Sequence, residues 1–253
     1  MKASRRDSLF SLSLWERAGV RETAHVASGF HIPGRRSRHE RLGYFLALVL
    51  VAGHASITYG AGDVHAGKSK TAACGGCHGS DGNSLTPAFP RLAGQHEKYI
   101  TRQLADFKSG KRENPVMTSM AAGLSDQDMQ DIGAFFSTQK PVYPKVDPRQ
   151  DQDSQETSTD PETIAKGKIL FLAGNEKSQL PACSGCHGPA ANGNGLAGFP
   201  KLQGQFLPYL VKSLNDFKDG LRRNDEGETM RTIAAKMSKA EIDAVSAYLS
   251  DLR

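Results

Sequence analysis

From residue 61 onward the apolar positions keep a helical rhythm. Ile100, Leu104 and Phe107 recur at three- and four-residue spacing, and Gly110 follows where a helix would end on a left-handed residue. This spacing predicts a helix over 96–109. The same arrangement returns over 206–219, with Gly220 behind it. Shorter helices are expected over 63–73 and 161–172. A last pair begins at Ser125 and Ser238. Three residues on stand the acids Asp128 and Glu241, and Ser238 with Glu241 reads as a capping box. No segment alternates apolar and polar residues with period two, so the expected fold class is all-α.

These helices come in pairs because the chain repeats itself. FPRLAGQHEKYITRQLADFKSGKREN at 89–114 aligns with FPKLQGQFLPYLVKSLNDFKDGLRRN at 199–224, with half of the 26 positions identical. ACGGCHG at 73–79 aligns with ACSGCHG at 182–188, and GLSDQDMQDIGAFFS at 123–137 with KMSKAEIDAVSAYLS at 236–250. Three blocks recur in one order at offsets of 109 to 113 residues, which implies two similar domains in tandem rather than a solenoid. The expected domains are 61–140 and 161–253. Between them, 141–160 is rich in Pro, Asp, Gln, Ser and Thr, carries a net charge of −3, and lacks the apolar residues that offset ordering entropy. It is expected to be a linker. The second copy carries an extra loop, about 173–181, that the first lacks.

The first sixty residues have another character. Arg35, Arg36, Arg38 and Arg41 precede an unbroken apolar run at 42–53, and small residues follow. That order matches a secretory signal, and a run of 12 residues is short for a membrane span. Residues 1–60 are expected to be an N-terminal extension plus signal peptide, removed or wrongly started, with cleavage between about 55 and 61. They hold nine Lys/Arg and four Asp/Glu, which is the whole formal +5. From residue 61 there are 23 basic and 23 acidic residues, so the basic balance is no argument for nucleic-acid binding.

The chemistry lies in four cysteines. Cys74 and Cys77, then Cys183 and Cys186, form Cys-x-x-Cys pairs followed at once by His78 and His187. Two thiols so spaced can add to the two vinyl groups of one haem, and the adjacent His then falls beneath the iron. Zinc also uses Cys-x-x-Cys, but needs four ligands per site; only the two halves together would supply four Cys. A redox dithiol accompanies a βαβ pattern, which is missing. Structural disulfides suit an oxidising compartment. Two matching motifs, in a repeat, behind an export signal, favour two covalently bound haems c per chain. A domain of about 85 residues has a limited core of its own, and a haem would supply an apolar centre.

A second iron ligand follows from the repeat. Aligning Ser125 with Ser238 sets Met117 opposite Met230, Met120 opposite Ile233, Met129 opposite Ile242 and Met237 opposite Leu124. Only Met117 and Met230 are matched. Met opposite His suits electron transfer, and Met120 is the rival in the first copy. Met129 and Met237 fall at apolar helix positions and read as core filler. Pro90 and Pro200, in the shared FP-[RK]-L-x-GQ block, offer carbonyls that could accept the free N–H of a ligating His; a rigid turn before the helix is the other reading. His65 and His96 have no counterpart in the other copy and read as surface or packing residues.

Two Cys-x-x-Cys-His motifs, each followed by FPxLxGQ, a Y-x4-L-x-DF-[KR]-x-G helix, a Met and a Ser-capped last helix, resemble the dihaem cytochrome c4 family over about 63–253. The resemblance implies two tandem cytochrome c-like domains about a pseudo-twofold axis, each a small helical fold around one covalent haem. It implies axial pairs His78/Met117 and His187/Met230. It also implies an electron carrier and not an enzyme, working in the periplasm, in some members with membrane association. Its expected partners are redox proteins: a donor such as a quinol-oxidising complex, and an acceptor such as a terminal oxidase. The alternatives are a cytochrome subunit of a flavoprotein dehydrogenase and a dihaem peroxidase, the latter requiring an open axial position.

Overall fold

The computed structural model describes residues 61–143 and 160–253. The apolar run at 42–53, the expected leader and most of the expected linker lie outside them.

The first copy holds five helices: α1 Val64–Lys70, α2 Ala72–His78, α3 Glu97–Lys108, α4 Pro115–Ala121 and α5 Asp126–Thr138. The second holds α6 Pro161–Ala173, α7 Ser184–His187, α8 Leu207–Lys218, α9 Thr229–Ala235 and α10 Lys239–Asp251. A 3₁₀ turn, Glu226–Glu228, precedes α9. Among the described residues the only β pairings are two isolated bridges, Asn175 with Leu180 and Asn194 with Phe199. No described helix is long and apolar enough to cross a membrane.

Local chemistry sets the helix ends. The Asp63 carboxylate accepts from the N–H groups of His65 and Ala66 to start α1. Asp160 does the same for Glu162 and Thr163 of α6. Ser125 and Ser238 both make full capping boxes, with Asp128 and Glu241. The helix expected over 63–73 is interrupted at Thr71, and its second part runs on through the Cys-x-x-Cys-His motif. Thr71 is buried, and its hydroxyl donates to the Lys68 carbonyl at 3.0 Å, a local bond that competes with helix continuation. The second copy has no such break: α6 ends at Gly174, and the extra loop turns back through the Asn175–Leu180 bridge, burying Leu180.

In each copy the last helix packs against both the first helix and the longer middle helix, α3 or α8, and builds the core there. In the first, Ile100, Leu104, Met129, Ile132, Phe135 and Phe136 cluster together. In the second, Leu170, Phe171, Leu210, Met237, Ile242, Val245, Tyr248 and Leu249 do so. Phe136 and Phe171 are wholly buried, and a side chain of this kind contributes about 1.5–3 kcal/mol. Glycine permits the crossings. A Cβ on Gly67 would lie 2.0 Å from the Asp131 carbonyl oxygen, and one on Gly167 would lie 1.9 Å from that of Ala244. Lys70 of α1 then bridges Asp128 and Asp131 of α5, at 2.6 Å each.

The start of the expected linker is anchored. Val142 donates its N–H to Asn83 Oδ1 at 2.7 Å, the Pro141 ring covers Gly94, and the Tyr143 ring covers Gly204 of the second copy.

Candidate functional site

Each Cys-x-x-Cys-His motif sits on a short helix, α2 or α7, that ends at the His, with Gly79 or Gly188 turning the chain at positive φ. This delivers His78 and His187 into the interior, each 7% exposed. His78 Nδ1 lies 2.8 Å from the Pro90 carbonyl oxygen, and His187 Nδ1 lies 2.9 Å from that of Pro200. A carbonyl only accepts, so each Nδ1 carries the proton and each Nε2 presents a lone pair. Burial holds both imidazoles below the ordinary histidine range, opposed by those hydrogen bonds, which keeps them neutral. A neutral, buried imidazole pinned through Nδ1 is prepared to ligate a metal through Nε2. Phe89 meets His78 in an edge-to-face arrangement, and Phe199 is tilted relative to His187, at ring separations of 6.1 and 6.3 Å. The two Pro carbonyls do what the repeat suggested, and the turn reading is compatible with it.

Of the four cysteines, Cys74, Cys77 and Cys183 are partly buried and Cys186 is exposed. Burial pushes the Cys183 thiol up to about 11 and raises Cys74 as well. No three His, Cys, Asp or Glu side chains converge as a metal site among the described residues, so the two halves do not join in a four-Cys zinc centre. Paired thiols beside a poised imidazole do fit a covalently attached haem in each copy. When bound, its iron supplies a one-electron couple.

The methionines separate by environment. Met129 and Met237, 2% and 3% exposed, fill the two cores. Met117, in the first turn of α4, is half-buried against the first core, as Cys74 and Leu92 are. Met230, near the start of α9, is also half-buried. Met120 is 39% exposed, and its counterpart Ile233 packs on the second core. The helices that carry Met117 and Met230 were not among those expected from sequence. Asn114 followed by Pro115 is the signal for α4: the Asn side chain accepts from the Met117 N–H, and Pro occupies the first helical position. α9 has no side-chain cap and starts from Glu228 at φ 57°, so it lacks that signal.

The resemblance implied copies packed about a pseudo-twofold axis, but none of the residues that make the contact was named from sequence. Gln95 and Gln205, the Gln of each FPxLxGQ block, reach across it. Gln205 Oε1 accepts from the Arg91 N–H at 3.0 Å and its Nε2 donates to the Arg91 carbonyl at 3.0 Å. Gln95 repeats this on Lys201, at 2.9 Å for both bonds. Arg222 donates to Tyr99 Oη at 3.0 Å and Arg112 to Tyr209 Oη at 3.2 Å. Such reciprocity is what a twofold-related pair requires. It is broken at His96, whose Nε2 lies 2.7 Å from the Asn192 carbonyl, with no matching bond from Phe206.

Two all-helical copies, each offering paired thiols and a pinned, neutral imidazole, define a c-type cytochrome with two haems. Comparison with known proteins agrees. The family model described as "Cytochrome c" matches residues 64–140 and 164–253. Cytochrome c4 of Pseudomonas aeruginosa is 44% identical over 209 residues, covering 82% of this chain and 97% of that protein. A thiosulfate dehydrogenase electron acceptor of Stutzerimonas stutzeri is 39% identical over 181 residues, covering 71% and 79%. The crystal structure of reduced recombinant cytochrome c4 from Pseudomonas stutzeri superposes with a TM-score of 0.68 at 44% identity, covering 76% of this chain and all of that one. The chain belongs to the dihaem cytochrome c4 family. It is an electron carrier and not an enzyme, with two covalently bound haems c for which Cys74/Cys77 and Cys183/Cys186 are the fitting attachment pairs.

Proposed function

We propose that this carrier works in the periplasm, taking electrons from a quinol-oxidising donor and passing them toward a terminal oxidase. Its first iron is held by His78 and Met117 and its second by His187 and Met230, in domains spanning 61–140 and 161–253. The observation that carries the ligand reading is the pair of buried imidazoles pinned through Nδ1 to Pro90 and Pro200. Met117 and Met230 occupy matched, half-buried places on α4 and α9. With both axial positions filled, the chain's task is to hold the same ligand geometry in both oxidation states and to keep water out.

The thiosulfate dehydrogenase electron acceptor among the relatives favours a second reading, in which the donor is a dehydrogenase and the chain is its cytochrome partner. Co-purification with a dehydrogenase subunit, and reduction by it at a rate matching turnover, separates this from a quinol-linked carrier.

The primary test is the visible spectrum of the matured protein with pyridine haemochrome stoichiometry. Two haems per chain, low-spin bands and a far-red Met–iron band in the oxidised state are expected. One haem, or a high-spin component, would show an open site and bring the peroxidase reading forward.

A further inference from the structure

The terminal Gln of the FPxLxGQ block is shared by both copies and takes no part in the ligation. The carbonyl of Pro90 and the N–H of Arg91 belong to one peptide group. The carbonyl side accepts from His78 Nδ1 at 2.8 Å, and the N–H side donates to Gln205 Oε1 at 3.0 Å. The Pro200–Lys201 peptide does the same between His187, at 2.9 Å, and Gln95 Oε1, at 2.9 Å. Both glutamines are buried, 7% and 8% exposed, and each hydrogen-bonds the histidine peptide of the other domain rather than its own. Each Gln oxygen also accepts from the next residue's N–H, His96 or Phe206, which fixes its direction.

We propose that Gln205 and Gln95 are cross-domain positioning residues, each holding and polarising the peptide group that accepts the N–H of the other domain's haem-ligating histidine. The proposal rests on His78 and His187 being the axial ligands. An acceptor on one end of a peptide strengthens the carbonyl at the other end, by about 10–30% per bond. A stronger carbonyl draws harder on Nδ1–H, makes the imidazole more basic at Nε2 and favours the oxidised iron. Loss of the Gln acceptor therefore raises the potential of the opposite haem. An orienting partner of a metal-bound His is worth about 10–100-fold. Taking 30% of that on a logarithmic scale gives an upper range of about two- to fourfold, which is about 18–35 mV for a one-electron couple.

The test uses the full holoprotein and the variants Gln205→Leu and Gln95→Leu. The two haem potentials are resolved in an NMR-followed redox titration, and the ring Nδ1–H resonances are read in the reduced state. Gln205→Leu should raise only the potential of the haem on Cys74/Cys77 and move only the His78 resonance; Gln95→Leu should do the mirror image on His187. Equal shifts of both haems in each variant would mean only a loosened interface, and no shift would mean no relay; either overturns the proposal. Should a Leu variant fail to fold, Gln205→Met keeps the side-chain length but removes the acceptor oxygen, and it must weaken the His78 signal's hydrogen-bond shift while leaving His187 in place. An unmoved His78 signal there also overturns the proposal. If His78 in the unsubstituted protein lacks the ring-current shift of an iron-bound imidazole, the ligand reading fails by itself, whatever the glutamines do.

Discussion

Replacing Gly167 by Ala tests how the second domain closes. The added Cβ would sit 1.9 Å from the Ala244 carbonyl oxygen, 2.5 Å from its carbon and 2.9 Å from Tyr248 Cβ. Two of these atoms are helix backbone, which cannot rotate away. Ordinary contact begins near 3.4 Å, so α6 and α10 must part by about 1.5 Å along that line. A gap of even 0.5–1 Å forfeits about a quarter to a half of each lost contact. The contacts at risk are those of Phe171, Ile242, Val245 and Tyr248. Alanine's better helix propensity returns about 1 kcal/mol, while overpacking costs about 1–3 kcal/mol before the lost contacts are counted. The net expectation is a destabilisation of about 2–3 kcal/mol, or about 10–20 °C in the midpoint of one small domain. Guanidinium unfolding of the holoprotein, followed by far-UV circular dichroism, measures it. Two tandem domains need not unfold together, so the later or earlier step must move while the other stays. Gly67→Ala should move the other step, because its Cβ would meet the Asp131 oxygen at 2.0 Å and Phe135 Cβ at 2.8 Å. Gly123→Ala is the control: its Cβ meets nothing within 4 Å, and a change of less than about 0.5 kcal/mol is expected. A Gly167→Ala protein that unfolds at the unsubstituted midpoint would refute the close-crossing argument.

Met230→Ala should open the second iron to carbon monoxide and lower its potential, whereas Met120→Ala, at a position 39% exposed, should leave the spectrum unchanged. A Met230→Ala protein that stays closed to carbon monoxide would overturn that ligand. Ser238→Ala removes the hydroxyl that caps α10 and should cost about 1 kcal/mol in denaturant unfolding. Glu241 gives a pH dependence. Burial alone would push its carboxyl up, but hydrogen bonds from the Ser238 N–H, Ser178, the Ser238 hydroxyl and Asn175 outweigh that and hold it at about 2, below the ordinary 4.5. Its contribution is therefore complete above pH 4.5 and lost as pH falls through about 2. After solvent screening this is worth about 1 kcal/mol. Denaturant midpoints at pH 6 and pH 3 should differ less in Glu241→Gln than in the unsubstituted protein.

Much of this protein is local and so was readable along the chain. Helix periodicity at Ile100, Leu104 and Phe107, the caps at Ser125 and Ser238, and the spacing of Cys74, Cys77 and His78 all depend on residues within a few positions of one another. The repeat added a second reading of each feature and, of six methionines, aligned only Met117 with Met230, the pair proposed as ligands. The interruption at Thr71 and the helix at α9 escaped, because a side-chain bond back to Lys68 and a start at positive φ leave no periodic trace. What the tertiary structure alone decided are contacts between residues far apart in sequence. Gly67 and Gly167 look like ordinary helix glycines until another helix's backbone lies against them. Gln95 and Gln205 are one polar residue in a repeated block until docking of the two copies places each on a peptide group 106 or 114 residues away. Sequence pattern reports which face of an element is apolar, while the distance and register at which two faces meet come from packing, and the interdomain hydrogen bonds exist only at that register.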